Sequence, residues 1–270
     1  MIRNEGDALQ RVILTPPVTE YTNLTDLGAH NFSKLPDKAR AIQQHDYLRD
    51  LIASFDVDII TVRELKGHPN SVFVRDVAVL TPDGALIMRM GLGSRQKEEA
   101  WMEGELRQRH VPVVGRITEP ATAEGGDVIL AGDVAFIGHS SRTNDSGTDQ
   151  VARTLLQMGY RVRIARIPPP YLHIGGAMSV IAPGRILCTE DVFPKSFFDS
   201  FETVAVPKSD FTSGNVITIR PNEVIADSSN KVTIDILRDN NVIVHDINLS
   251  EFIAGTGGPS CLILPLAREM

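Results

Sequence analysis

Hydrophobic and polar positions alternate in short runs along the chain, and one order of runs recurs. Residues Ser71 to Leu80 are rich in β-formers, Thr81-Pro82-Asp83-Gly84 is a turn signal, and Ala85 to Met90 reads as the returning strand of a hairpin. Ser94 stands as the N-cap of a helix from Arg95 to Leu106, and Val111-Pro112-Val113-Val114 follows as a strand. A second copy pairs Asp127 to Leu130 with Val134 to Ile137 about Ala131-Gly132-Asp133. It continues in a helix over roughly Thr148 to Met158, closed by Gly159, and a strand from Arg161 to Ile164. The third copy runs Met178 to Ile181, turns at Ala182-Pro183-Gly184 and returns through Arg185 to Cys188. Pro194 suits the first turn of its helix, Lys195 to Phe201.

In the fourth copy Asn215 to Ile219 and Val224 to Ala226 flank a turn at Arg220 to Glu223, before a helix from Asn230 to Arg238 and a strand from Val242 to His245. The fifth is divided between the two ends of the chain. Cys261 to Leu266 and Arg11 to Leu14 supply strands, Asp37 to Phe55 a helix, and Val57 to Ile60 the last strand. The pattern thus predicts an α/β fold of five strand-strand-helix-strand units, about 40 to 55 residues each, in the period range of propeller-like arrays. Helices lie outside, strands surround a central axis, and strands from both ends close the ring and remove free edges. Active-site residues then come from several units and meet at the axis. No Pro/Gly/Ser-rich linker divides the chain, so residues 1–270 read as one domain.

Composition narrows the class. The chain is 42% hydrophobic and 23% charged, as soluble globular proteins are, and its net charge of −7 argues against a nucleic-acid partner. No apolar run approaches a membrane span, and Met1 to Glu5 carries no signal-peptide core, so the cytoplasm is the expected location. Two cysteines, Cys188 and Cys261, are expected to stay reduced there. Neither a C-x-x-C nor an H-x-E-x-x-H spacing is present, so no metal is expected. Cys188 reads as a core residue, and Glu98, Glu99, Glu103 and Glu105 as a solvated helix face.

Several stretches carry candidate chemistry. Gly255-Thr256-Gly257-Gly258-Pro259-Ser260 delivers Cys261 to the head of an apolar strand, where it is either a nucleophile, fixed yet accessible, or a small core residue. Asp76 sits within a run of β-formers, where a charge is costly unless paired; an arginine salt bridge and a site role weigh equally. Arg75 faces the opposite side in strict alternation. Glu124 precedes two glycines, which suggests a carboxylate on a tight turn. Arg142, in the polar loop Gly138 to Asn144, is either a carboxylate ligand or a solvated arginine. His173, after Pro168-Pro169-Pro170, is the best-placed histidine for proton transfer.

In this order, Asn70-Ser71-Val72-Phe73-Val74-Arg75-Asp76, Glu124-Gly125-Gly126-Asp127, Ser141-Arg142-Thr143-Asn144, Leu172-His173 and Gly257-Gly258-Pro259-Ser260-Cys261 resemble the guanidino-modifying enzymes of the pentein superfamily. The branch most similar is dimethylarginine dimethylaminohydrolase, and the resemblance covers nearly the whole chain. It implies a five-bladed α/β propeller of ββαβ units with pseudo-fivefold symmetry, and a cofactor-free hydrolase acting on an arginine derivative. Cys261 would attack the guanidinium carbon, and His173 would protonate the leaving amine and then activate water. Glu124 and Asp76 would hold the guanidinium; Arg89 and Arg142 would bind the α-carboxylate. Leu24 would belong to a lid loop, with Phe73 against the substrate stem and Asn70 beside the guanidinium.

Two positions depart from that branch. It carries acids where this chain has Asn70 and Arg75; Arg75-Asp76 resembles the arginine deiminases and Asn70 the arginine dihydrolases. Those enzymes place an acid two residues after the histidine, where this chain has Gly175, and that absence favours a substituted guanidinium. The alternatives are a deiminase or dihydrolase of free arginine and, from another class, a non-catalytic binding protein on the same ring. The partner expected is a small guanidino compound, with a homodimer left open.

Overall fold

The computed structural model describes residues 1–194 and 196–269, and its chain repeats one unit five times around an axis. Strand β1 (Ala8–Leu14), helix α1 (Lys38–Ala53) and β2 (Asp58–Thr61) open the chain. The next unit is β3 (Ala78–Leu80), β4 (Ala85–Ile87), α2 (Glu98–Gln108) and β5 (Val113–Arg116). It is followed by β6 (Val128–Ala131), β7 (Val134–His139), α3 (Asp145–Gln157) and β8 (Arg161–Arg166). A helical turn, α4 (Ile174–Ala177), precedes β9 (Met178–Ala182), β10 (Arg185–Thr189) and β11 (Glu202–Val206). The last full unit is β12 (Ile217–Arg220), β13 (Glu223–Asp227), α5 (Lys231–Asp239) and β14 (Ile243–Ile247), before the turn α6 (Ser250–Ile253) and β15 (Ile263–Glu269).

Each sheet has three strands, the middle one antiparallel to the first and parallel to the third. The β15-β1-β2 sheet joins the two ends of the chain, as the pattern predicts. Around the axis β6 lies beside β9, β9 beside β12, β12 beside β1, and β15 beside β3. The core fills the space between each sheet and its helix. Met102 and Leu106 of α2, Val151 and Leu155 of α3, Ile234 and Leu237 of α5, and Leu48 and Ile52 of α1 turn inward onto buried strands. No helix is long and apolar enough to cross a membrane among the described residues.

The structure departs from the sequence pattern in five places. Ring closure does not remove free edges: every sheet ends in an outer strand with no further partner among the described residues, and β8 protects its edge with Arg161, Arg163 and Arg166. Only Ala78–Leu80 of the run from Ser71 is strand, because Pro69–Val72 and Val74–Asp76 form 3-10 turns. Arg95 reinforces these turns, donating to Phe73 O at 3.0 Å and Asn70 O at 3.4 Å, carbonyls that also accept the Asp76 and Phe73 N–H groups. The following helix starts at Glu98, with Lys97 at φ 91°, because Arg95 is drawn inward and Ser94 donates to Ala29 O instead of capping.

The third unit has no helix in its 196–200 stretch, which is a series of turns; Lys195 lies outside the described residues. There Phe197 and Phe198 pack on Phe136 and fill the space a helix fills elsewhere. The unit ends in β11, which the pattern leaves out because only Val204 and Val206 face inward. Finally, β15 begins at Ile263, and Cys261 stands in the 3-10 turn Pro259–Leu262 just before it.

Candidate functional site

A tight turn precedes the first strand of every unit: Val74–Asp76, Gly125–Asp127, Ile174–Ala177, the turn over 211–214, and Pro259–Leu262. A hydrogen-bonded hairpin follows each, so each turn is fixed against a rigid sheet. Together they deliver Asp76, Glu124, His173 and Cys261 to the axis. One pocket is lined by Asn70, Phe73, Asp76, Arg142, His173 and Cys261, joined by Arg95.

His173 and Glu124 form the buried centre, with imidazole Nε2 2.8 Å from Glu124 Oε2. Glu124 is wholly buried and stands outside the pocket wall; its other oxygen accepts the Gly91 N–H at 2.9 Å and lies 3.5 Å from Arg142 Nη1. The bond to His173 makes Glu124 a holder of the imidazole in this structure. Asp76 accepts from Arg95 Nη1 at 2.6 Å through Oδ2. Its Oδ1 has no hydrogen-bond partner and lies 3.8 Å from His173 Nδ1. That oxygen is a buried acceptor beside the pocket, suited to a cationic N–H donor. Asp76, Glu124 and His173 each offer a ligand atom within 4.8 Å of the others, a set that could also take a cation.

The electrostatics follow from burial and neighbours. Burial opposes a charge on His173, but Asp76, Asp127 and Glu124 outweigh it and raise the imidazole above its ordinary range. Burial likewise opposes a charge on Glu124, but the hydrogen bond and charge of His173, with Arg95 and Arg142, hold the carboxyl well below its ordinary range. Burial, aided by Asp76, pushes the Cys261 thiol up to about 12. These surroundings favour the protonated imidazole and the neutral thiol.

Two residues implied by the resemblance stand elsewhere. Arg89 is in a backbone bridge with Ala123, and its guanidinium turns outward to Ala121 O at 3.0 Å and to exposed Glu119 at 2.6 Å. Leu24 is absent from the pocket lining and packs on the cluster of Tyr21, Phe32 and Phe73. Phe73 is buried edge-on to Tyr21, with ring centroids 5.8 Å apart. Asn70 donates Nδ2–H to His30 O at 3.1 Å and leaves its buried Oδ1 unpartnered. Arg75 does not line this pocket; it pairs with Glu5 at 2.7 Å and Val128 O at 2.9 Å.

Sequence reasoning missed three residues. Arg95 lines the pocket, which Arg89 does not. Glu98, read as solvated, is fully buried and holds Arg95 Nε at 2.9 Å. Burial pushes that carboxyl up to about 7 against the pull of Arg95. Asp127 accepts Ser140 Oγ–H at 2.6 Å, Thr143 Oγ1–H at 2.7 Å and the Ile174 N–H at 2.9 Å, tying the Arg142 loop to the His173 turn. Its signal was available: a second acid in Glu124-Gly125-Gly126-Asp127, at the mouth of a buried strand.

Comparison with known proteins agrees with this geometry. The arginine deiminase family model matches residues 56–173 and 202–268. N(G),N(G)-dimethylarginine dimethylaminohydrolase of Pseudomonas aeruginosa is 28% identical over 229 residues, covering 85% of this chain and 89% of its own. A solved structure of the enzyme from that organism, a cysteine-to-serine variant complexed with citrulline, superposes with a TM-score of 0.84 at 27% identity over 95% of this chain and 99% of its own. The N-terminal domain of the cyanobacterial arginine dihydrolase ArgZ shares the fold at 17% identity, with a TM-score of 0.83 over 97% of this chain and 98% of its own. With the family model matched over most of its length and its five-sheet ring, this chain belongs to the arginine deiminase family, on the pentein fold and near the dimethylarginine dimethylaminohydrolases.

Proposed function

We propose that the chain is a cofactor-free hydrolase that cuts a guanidinium C–N bond of an Nω-methylated arginine, giving citrulline and methylamine or dimethylamine. Residues 1–270 act as one catalytic domain on this free cytoplasmic substrate. The observation that carries the reading is the His173 imidazole, held by Glu124, sharing a pocket with the Cys261 sulfur and the free Oδ1 of Asp76.

The cationic substrate binds to Asp76 Oδ1 and lowers the cost of the Cys261 thiolate, whose proton leaves to solvent. The sulfur attacks the guanidinium carbon and forms a C–S bond. As the C–N bond breaks, His173 gives its proton to the departing amine. Neutral His173 then takes a proton from water, whose oxygen bonds to the same carbon. The C–S bond breaks and the thiolate is restored, and as the hydroxyl proton leaves to solvent a ureido group remains. Arg142 supplies positive charge on the pocket wall for the substrate's α-carboxylate.

Substituted guanidinium is favoured by the scarcity of acids. Arg75 is turned to Glu5, Asn70 offers a neutral oxygen, and Gly175 has little room for a side chain, since a Cβ there would lie 3.1 Å from Gly126 O. A second reading, deimination or dihydrolysis of free arginine, is favoured by Arg75-Asp76, by Asn70 and by the family model. Mass spectrometry of products from arginine, monomethylarginine, dimethylarginine and citrulline separates the two. Methylamine or dimethylamine with citrulline supports the first reading; ammonia with citrulline or ornithine from arginine supports the second. A Cys261→Ser variant with full turnover refutes both.

A further inference from the structure

Four of the five axial turns carry a side chain with a role in the proposed reaction. The remaining one, over 211–214, ends at Asn215, which the sequence reading took only as the start of a strand. The residue is 3% exposed, and its side chain spends both N–H donors and one acceptance at Oδ1 on two other turns. Nδ2 donates to Gly175 O at 2.7 Å, two residues beyond His173. It also donates to Ser260 Oγ at 2.8 Å, and Oδ1 accepts the Ser260 N–H at 3.0 Å, one residue before Cys261. The amide has only one orientation that works, because Gly175 O can only accept and Ser260 N–H can only donate. The neighbouring backbone is cut to fit: a Cβ at Gly258 would lie 2.7 Å from Asn215 Oδ1.

We propose that Asn215 is a positioning residue that locks the Cys261 turn to the His173 turn, and so sets where the sulfur stands relative to the imidazole. This rests on the reading of Cys261 as nucleophile and His173 as proton carrier. The third and fourth turns are already joined without it, by Gly214 N–H to Gly176 O at 3.0 Å and Ser179 Oγ–H to Gly214 O at 2.8 Å. Among the described residues, the two Asn215–Ser260 hydrogen bonds are the ones that tie the Pro259–Leu262 turn to another unit. Loss of the amide therefore leaves the ring docked and frees the cysteine turn alone. The isosteric aspartate is also disfavoured at neutral pH, because it sets a carboxylate against Gly175 O.

The test compares Asn215→Ala, Asn215→Asp and Ser260→Ala with the unsubstituted protein. Turnover of mono- and dimethylarginine is measured alongside the pH profile of Cys261 alkylation by iodoacetamide, mapped by peptide mass. The expected result for both Asn215 variants is a kcat lower by about tenfold or more with KM within about threefold. The melting temperature stays within a few degrees, and the alkylation profile moves to lower pH as the sulfur gains water. Asn215→Asp should recover turnover relative to the unsubstituted protein as pH falls and its carboxyl can again donate. Folded variants with unchanged kcat and an unchanged alkylation profile overturn the proposal. Where no methylarginine is turned over even by the unsubstituted protein, the functional reading fails and the alkylation profile alone decides the clamp. Where Asn215→Ala does not fold, Ser260→Ala, which removes one hydrogen bond, must still shift the profile; no shift overturns the proposal.

Discussion

Asp76 gives one carboxylate oxygen to Arg95, at 2.6 Å, and keeps the other unpartnered. The arginine holds the acid's charge in a buried place, and the free oxygen is the acceptor left for a cationic ligand. Asp76→Asn keeps the shape and removes the charge. It is expected to raise KM for a guanidino substrate by at least tenfold, since a hydrogen bond to a charged group contributes about 1.5–3 kcal/mol. Steady-state kinetics check this; an unchanged KM would move the guanidinium away from Asp76.

Arg89 and Arg95 make a paired prediction. Arg89 holds a surface acid and a loop carbonyl outside the pocket, so Arg89→Gln should leave turnover within about twofold and stability within about 1 kcal/mol. Arg95 is buried against Asp76, Glu98 and two carbonyls. Arg95→Gln leaves two buried carboxylates without their cation and is expected to cost about 3–5 kcal/mol. Urea denaturation of the two variants checks the order, and equal losses would contradict it.

The same pair explains how far the sequence could be read. The repeat was legible because period-2 apolar runs, turn residues and capped helices recur in fixed order, and four of the five helices fall where the pattern puts them. The turns that aim the site were not legible. Ser71 to Asp76 and Cys261 have strand-like composition, yet buried carbonyl–arginine bonds and Pro259 fold them into 3-10 turns. Both arginines lie near the hairpin return. Only tertiary structure reveals that Arg95 and Glu98 turn inward, because a buried ion pair has the same composition as a solvated one. The third unit's missing helix has a similar origin: Phe193, Phe197 and Phe198 pack as a cluster, with no helical period needed.

Protonation gives an acid–base test. His173 is raised above its unfolded pKa of about 6.5, so its contribution to stability is fully present below that pH and is lost as pH rises through the raised value. The stability difference between the unsubstituted protein and His173→Gln should therefore shrink toward alkaline pH. Denaturation at a series of pH values measures it, and a difference that grows with pH contradicts the assignment. In the same protein the Cys261 thiol is pushed up to about 12, so its alkylation without substrate should titrate well above the ordinary thiol value of about 8.5. A midpoint near 8.5 would mean that the sulfur is more solvated than its burial implies.

Gly126 tests whether the spacing of Asp76 and His173 sets the rate. A Cβ there would lie 2.8 Å from Asp76 Oδ1 and 2.8 Å from His173 Cγ and Nδ1, closer than either side chain tolerates. Asp76 is fixed through its other oxygen by Arg95, and His173 through Nε2 by Glu124, so room for a methyl group comes only by loosening one of those bonds. Gly126→Ala is expected to cost about 1–3 kcal/mol of stability, as overpacking does. Its kcat should fall by about tenfold or more, because misplacement near 1 Å is enough to cost that much. Gly125→Ala is the contrast: its Cβ would lie 2.2 Å from backbone Arg75 O, and the loss should appear in folding rather than in the turnover of folded protein. A folded Gly126→Ala variant with full turnover would mean that the Asp76–His173 spacing is slack, and that the rate is set by the Cys261 turn instead.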